Sequence, residues 1–381
     1  MSTPTAPEPA APLGTNDLTA TTPAAAAELI GVLRQQADSH ALLSRSESTR
    51  LAYRSDIAEY RAWCQLTGER PIPATPETVA LYLTYLASQV RAGGGRRFKP
   101  SSLSRKVAAI AAFHRDAGFD SPTGHDRVRR VMAGIRRAGD ATVARKWPLL
   151  TDDVRAVVGA MDHHTWPSGV KAARDTFAIL AGFAGALRRG NVAAIRAQDI
   201  APCPEGLMLR LPRSKTDQEG AGRLIVLPRG VRPATCAPCA WTRWSRLLHA
   251  TDNGSDPMPL VLATEPVEDW SHVCWQAPAV LAPDAPVLRP VRGSGTISNR
   301  QVYADALYRA VLVRVAAAGF DPDRYGFHSL RAGFVTQARR NGASTREVRL
   351  QTLHTSDAMV SVYDREFNPL AGGNAVSRIG L

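Results

Sequence analysis

Cysteine is scarce in this chain, with five among 381 residues (Cys64, Cys203, Cys236, Cys239 and Cys274). An odd, scattered set argues against a secreted disulfide framework. Long apolar runs are missing as well. The most apolar stretch, Ala172–Leu187, is broken by Arg174 and Asp175 and stops at Arg188, so no membrane span is expected. The first 25 residues carry no apolar segment of the kind a secretory signal needs, and a cytoplasmic location is expected. Acidic residues are also short, with 34 Asp and Glu against 47 Lys and Arg, a net charge of +13. That imbalance makes a small-molecule substrate a poor first reading and points to a polyanionic partner. What is present suits a folded protein: 44% apolar residues and 21% charged ones, in a chain long enough for two domains.

Residues 1–24 are mostly Pro, Ala and Thr, too poor in large apolar groups to offset chain entropy, and are expected to be a disordered tail. From Ala25 the spacing turns helical, with Leu29, Val32 and Leu33 as a first stripe. A second helix opens at Ser46 or Ser48. Thr75-Pro76-Glu77-Thr78 reads as a capped start with proline at the first position. Further helices are expected from Pro100 and Pro122. Five helices without strand signals predict an all-α bundle over 25–138. Residues 139–148 read as a linker.

Beyond the linker, Thr151-Asp152-Asp153 caps another helix, and a long apolar one follows over 170–186. Alternation at Leu207–Leu211 and Leu224–Leu227 predicts a β-hairpin with a long tip. Helical spacing resumes at 236–250, 297–318, 328–341 and 344–352. The whole reads as mainly α with a small β component. Cys236-x-x-Cys239 has no second ligand pair nearby in the chain. It reads as helix packing, and neither metal nor cofactor is expected.

Charge is concentrated late in the first domain. From Lys99 to Lys146 there are eleven basic and four acidic residues, +7 of the total. Such clustering suits a face that tracks phosphates, whereas a merely solvated helix more often interleaves its signs. The candidates are Arg50, Arg105, Lys106, Arg127, Arg129, Arg130, Arg136 and Arg137.

Four separated pieces carry chemistry. His328-Ser-Leu-Arg331 places His and Arg on one face of a helix start, where free backbone N–H groups favour an anion. Arg188-Arg189 follows directly on an apolar run. A guanidinium so close to a core needs an anionic partner, which a phosphate can supply bidentately. Lys215 lies at the hairpin tip, and His354 and Tyr363 stand nine apart near the C-terminus. Singly, each has an ordinary reading: a surface pair, a snorkelled arginine, a solvated lysine, a core tyrosine. Their order resembles the tyrosine recombinase (phage integrase) family, most closely its Cre-like members. The resemblance runs from about Ser46 to the C-terminus and includes Trp63-Cys64, Phe113-His-Arg115 and Val131-Met-x-x-Ile-Arg136.

The resemblance implies a helical core-binding domain followed by an α+β catalytic domain of the DNA breaking-rejoining type over 149–371. It implies a C-terminal segment, 372–381, exchanged between subunits, and closure of the two domains around DNA. By the same resemblance Arg188 and Arg331 clamp the scissile phosphate, Lys215 protonates the leaving oxygen, and His328 is the acid/base histidine. His354 contacts a non-bridging oxygen where Cre-like members have Trp, and Tyr363 is the nucleophile. Asn191 stands where many members carry Glu or Asp; its amide can orient a neighbour but lends no charge. A helix opening at Ser298-Asn-Arg-Gln resembles one that reads the major groove, making Arg300 a candidate for guanine and Gln301 for adenine. The implied partners are double-stranded DNA with inverted repeats and three further copies of the chain, as a homotetramer on two sites. Two other activities fit the same residues: a type IB topoisomerase or telomere resolvase, and a non-catalytic DNA-binding regulator.

Overall fold

The computed structural model describes residues 23–138, 146–211 and 222–352. The expectations for residues 1–22, the linker at 139–145, the hairpin tip with Lys215, and 353–381 with His354, Tyr363 and the terminal segment lie outside the described residues. The chain divides into two compact units, Met1–Val143 and Ala144–Leu381.

The first unit holds α1 (Pro23–Leu43), α2 (Glu47–Thr67), α3 (Pro76–Ser88), α4 (Pro100–Asp116) and α5 (Asp126–Arg137). Local chemistry sets their starts. The Ser46 hydroxyl accepts from the Thr49 N–H, and Thr75 accepts from Thr78 with Pro76 in the first turn. Pro122 opens a short 3₁₀ turn and α5 begins only at Asp126, a few residues later than the sequence suggests. Tyr60, Trp63, Tyr82, Leu83, Leu103 and Ile110 form the core. On α1, Ile30 and Leu33 are more than two-fifths exposed, so its apolar stripe adds little to that core.

The second unit contains α6 (Thr151–Gly159), α7 (Ser168–Ala184), α8 (Arg189–Ala193), β1 (Ile200–Cys203), β2 (Gly206–Leu211) and β3 (Arg223–Pro228). It continues through α9 (Ala237–Asp252), α10 (Met258–Leu262), α11 (Ala304–Ala317), α12 (Phe327–Arg340) and α13 (Thr345–Thr352). The strands form an antiparallel meander in the order β1-β2-β3, with Leu209 opposite both Ile200 and Ile225. Helix α7 runs through the core, and Gly182 lets α12 approach closely. A Cβ there would stand 3.0–3.2 Å from Leu330 and Phe327. The Arg174 and Asp175 interruption has a structural use. Buried Asp175 takes charge-assisted bonds from Arg174 and from Arg314 on α11 at 2.7–2.8 Å.

The expected helix at 297–318 is shorter, starting at Ala304. Residues 298–303 are held out of the helix because Ser298 N–H donates to the Pro290 carbonyl and Val302 N–H to Leu288. The Ser298 hydroxyl also accepts from the Arg300 N–H, a local turn that competes with helix. Arg300 and Gln301 are therefore exposed residues of a non-helical segment.

Buried His163 donates Nε2–H to the Val158 carbonyl (3.0 Å) and packs edge-on against Trp270. Burial lowers its pKa to about 4, against about 6.5 in an unfolded chain. Between these values only the unfolded chain takes up the proton. Stability is therefore expected to be full above pH 6.5 and to fall as pH drops toward 4, by at most about 3 kcal/mol. Chemical denaturation of the wild type and of His163→Gln across that range checks this. Identical pH dependence in the two proteins would remove His163 as the cause.

Candidate active site

The site begins where α7 ends. Gly185 follows the helix, the Ala186 N–H donates to the Phe183 carbonyl and the Leu187 N–H to the Gly182 carbonyl. This paired pattern is a Schellman-type stop. Its left-handed position, usually glycine, is Ala186 with φ 47°. Ala186 is buried and, among the described residues, the only non-glycine with positive φ. A left-handed alanine costs on the order of 1 kcal/mol, and strain of this kind collects where geometry is over-determined. Here the turn sends the chain into Arg188, which flanks the N-terminus of α8.

Arg331 explains what the turn is for. It projects from the second turn of α12, is only 3% exposed, and donates Nη1–H to the Ala186 carbonyl and Nη2–H to the Thr352 carbonyl (2.6 Å). One guanidinium thus ties the turn before Arg188 to the last residue of α13, two positions before His354. Gln351 adds a second tie, donating to the Ala184 carbonyl (2.8 Å) and to Val226 on β3 (3.2 Å). The end of α7, the root of the hairpin, α12 and the end of α13 therefore meet at one place. His328 lies three residues before Arg331 and is exposed, on the same helix face.

The two adjacent arginines differ. Arg189 bonds Asp305 (2.8 Å) and lies over Tyr308. The half-buried Arg188 side chain makes no hydrogen bond or ion pair with a described residue. A cation held near the core without a carboxylate partner suits an incoming anion. Asn191 sits in α8, and its amide bonds no other described residue. Ala186, Gln351 and Thr352 were not singled out from sequence; a glycine one position before the left-handed residue was the only local hint.

The basic candidates of the first unit divide sharply. Lys106 is 3% exposed and bonds Asp56 (2.9 Å) and Glu59 (2.6 Å). Its charge is neutralised inside the bundle, which corrects its reading as a phosphate contact. Arg105 also bonds Asp56 but stays nearly half exposed. On α5, Arg127 reaches Glu77, and Arg129 and Arg130 flank Asp126. These are open surface pairs worth little. Arg136 and Arg137 are exposed at the end of α5. Arg50 lines a surface cleft with Arg54 and Arg61.

The Cys236-x-x-Cys239 reading also changes. The fold brings His272 and Cys274 to it, with the four ligand atoms within 4.8 Å of one another. The second pair exists, but more than thirty residues away.

No protein-family profile matches the chain. Over 339 residues it is 28% identical to an integrase/recombinase XerD homologue of Selenomonas ruminantium, covering 88% of this chain and 86% of the relative. Over most of its length the chain is thus similar to an integrase/recombinase. Its fold is similar to that of a lambda integrase fragment solved as a dimer on a COC′ core site. There the TM-score is 0.51 and the identity 17%, covering 88% of this chain and 95% of that one. A lambda integrase tetramer bound to a Holliday junction gives a TM-score of 0.51 at 16% identity, over 85% and 74% of the two chains. The helical first unit and the mixed second unit thus share the fold of these lambda integrase structures.

Proposed function

We propose that the chain is a site-specific DNA recombinase that cleaves through Tyr363 and exchanges strands between two target sites. The observation that carries this is the double tie of Arg331. It holds a buried guanidinium between the turn before Arg188 and the carbonyl of Thr352, two residues before His354 in the sequence. Attack by a phenolic oxygen on a phosphodiester builds negative charge on the two non-bridging oxygens. Cations already held in place stabilise that charge without reorganising. In this reading Arg188, Arg331 and His354 receive those oxygens, and His328 accepts the Tyr363 proton. The tyrosyl oxygen bonds to phosphorus as the bond to the 5′ oxygen breaks, and Lys215 supplies the proton that makes a free 5′ hydroxyl. The 3′-phosphotyrosine keeps the phosphoester energy. A 5′ hydroxyl from a second duplex can then reverse the step and release the tyrosine, giving a Holliday junction.

The Cre-like character, the inverted repeats and a homotetramer on two sites belong to the same proposal, as does a cytoplasmic, DNA-associated protein. The likeness to a lambda integrase tetramer bound to a Holliday junction supports the assembly and the DNA partner. The test starts by recovering the preferred site through selection of bound DNA, then incubates the wild-type protein with nicked duplexes of that site. The expected result is an SDS-stable adduct whose peptide maps to Tyr363, followed by recombinant product from two copies. An adduct with supercoil relaxation but no exchange would make it a topoisomerase, and specific binding with no adduct would make it a regulator.

The basic face has its own expected result. Arg129→Glu with Arg130→Glu should weaken binding to all DNA sequences and lower the slope of log affinity against log salt by about two. Lys106→Met should destabilise the bundle while leaving that slope unchanged, because Lys106 faces Asp56 and Glu59. A slope that fell with Lys106→Met would place that lysine on DNA.

A further inference from the structure

The cluster around Cys236 lies apart from everything the recombination chemistry uses. Cys236 flanks the N-terminus of α9 and Cys239 stands in its first turn, so the x-x spacing turns both thiols to one side. Both are fully buried. His272 and Cys274 arrive from the proline-rich segment between α10 and α11. The Cys236 and Cys274 sulfurs are 3.9 Å apart, and His272 Nδ1 lies 3.4 Å from the Cys239 sulfur and 3.8 Å from that of Cys274. A tetrahedral zinc with bonds of about 2.3 Å to sulfur and 2.0–2.1 Å to nitrogen has edges of roughly 3.8 Å between sulfurs and 3.5 Å between sulfur and nitrogen. The sulfur–sulfur separation and the Cys239 sulfur–nitrogen separation match these edges, the Cys274 sulfur–nitrogen separation is about 0.3 Å longer, and all four atoms lie within 4.8 Å of one another. The sulfur–sulfur separation is far longer than the roughly 2.05 Å of a disulfide.

We propose that Cys236, Cys239, His272 and Cys274 form a structural zinc site. The surroundings are those of a ligand set already oriented. His272 Nε2 donates to the Val231 carbonyl (3.3 Å), which leaves Nδ1 as the free donor atom. The Gly230 N–H donates to the Cys236 sulfur (3.3 Å), and the first turn of α9 favours thiolate charge. Arginines clamp the incoming segment on both sides of the ligands. The Arg243 guanidinium lies 3.9 Å from the centre of the Trp270 ring, and Arg229 lies 3.9 Å from that of Trp275. Four protein ligands fill a tetrahedral shell, so the site is closed and its work is structural. Three soft sulfurs with one imidazole select zinc over the hard oxygen-seeking cations.

The role follows from position. Residues 253–303 contain only α10 and a single 3₁₀ turn, and so have little backbone pairing of their own. Bound zinc would cross-link this segment to the stretch joining β3 to α9, at the base of the sheet. Metal binding there contributes directly to folding.

The test uses full-length protein purified without chelator and analysed by elemental mass spectrometry and zinc-edge X-ray absorption. The expected result is about one zinc per chain in a shell of three sulfurs and one nitrogen. Cys239→Ser and Cys274→Ser should each lose the metal, while Cys203→Ser, whose thiol lies outside the cluster, should keep it. If the two ligand variants fail to fold, the wild-type protein still decides. After zinc removal under reducing conditions, added Co²⁺ should give the thiolate-to-metal and d–d bands of a tetrahedral sulfur site. Zinc below about 0.1 per chain after anaerobic reconstitution, an octahedral Co²⁺ spectrum, or a disulfide among these cysteines would overturn the proposal. Recombination activity enters none of these readouts, so this proposal and the recombinase reading fail separately.

Discussion

Arg331→Ala is expected to slow DNA cleavage by about two to three decades, the scale of removing one preorganised charge donor, and also to weaken the fold. The second effect comes from the two carbonyls it leaves behind. Ala186 and Thr352 are fully buried, and their oxygens lose the donors that Arg331 supplies. A buried acceptor that loses its donor costs about 1–3 kcal/mol, so the two together predict a loss of about 2–6 kcal/mol in urea unfolding. Arg188→Ala should slow cleavage similarly with little change in stability, because its side chain holds no described neighbour. Arg331→Lys should resemble Arg331→Ala in cleavage, since one ammonium cannot span two carbonyls and a phosphate as a planar fork does. Site-specific binding measured by gel shift should persist in all three. Wild-type cleavage by Arg331→Ala would remove it from the site, and unchanged stability would contradict its anchoring role.

Gly333→Ala is expected to be the most disruptive one-carbon change in the second unit. Gly333 lies inside α12 against the backbone of Leu149, whose N–H donates to the Ser329 carbonyl (3.0 Å). A Cβ on Gly333 would stand 1.7 Å from the Leu149 oxygen and 2.5 Å from its carbon. Main chain cannot rotate away as a side chain can, so α12 and the Leu149 segment must separate. A destabilisation of at least about 3 kcal/mol is expected, at or beyond the upper end of overpacking costs. Because α12 carries His328 and Arg331, cleavage should fail with it. Gly134→Ala is the control. It also lies inside a helix, but nothing stands within 4 Å of the added carbon, and the change should stabilise by about 0.5–1 kcal/mol. Thermal unfolding followed by near-UV dichroism separates the two, and a Gly333→Ala protein melting like the wild type would refute the contact.

How far these sites could be read beforehand depended on the range of the interactions. Helix starts rest on neighbours a few residues apart, so Ser46, Thr75-Pro76 and the α12 start were legible. Strand β1 was not, being four residues long with a proline inside it and no alternation to mark it. The stretch before α11 has helical composition, yet its backbone is claimed by Leu288 and Pro290. Lys106 lies in a basic run and looks solvated until Asp56 and Glu59, about fifty residues earlier, fold against it. The zinc ligands show the same limit, since a second pair more than thirty residues away has no fixed spacing to betray it. At the candidate active site, the residue types were visible in sequence. The carbonyls that hold Arg331 were not, because backbone acceptors leave no mark in composition.

The way the chain enters its second unit has a consequence for engineering. Lys146 Nζ donates to the Asp323 carbonyl (2.5 Å), the Trp147 N–H to the Arg324 carbonyl (2.7 Å), and the Arg324 guanidinium covers the Trp147 ring. With the Leu149 N–H bonded to the Ser329 carbonyl of α12, the segment 146–149 is docked along the second unit. These contacts belong to the second unit alone. On the proposed recombinase reading, a substitute module joined upstream of Lys146 leaves these contacts of the second unit in place, so the two halves can be exchanged without rebuilding this docking.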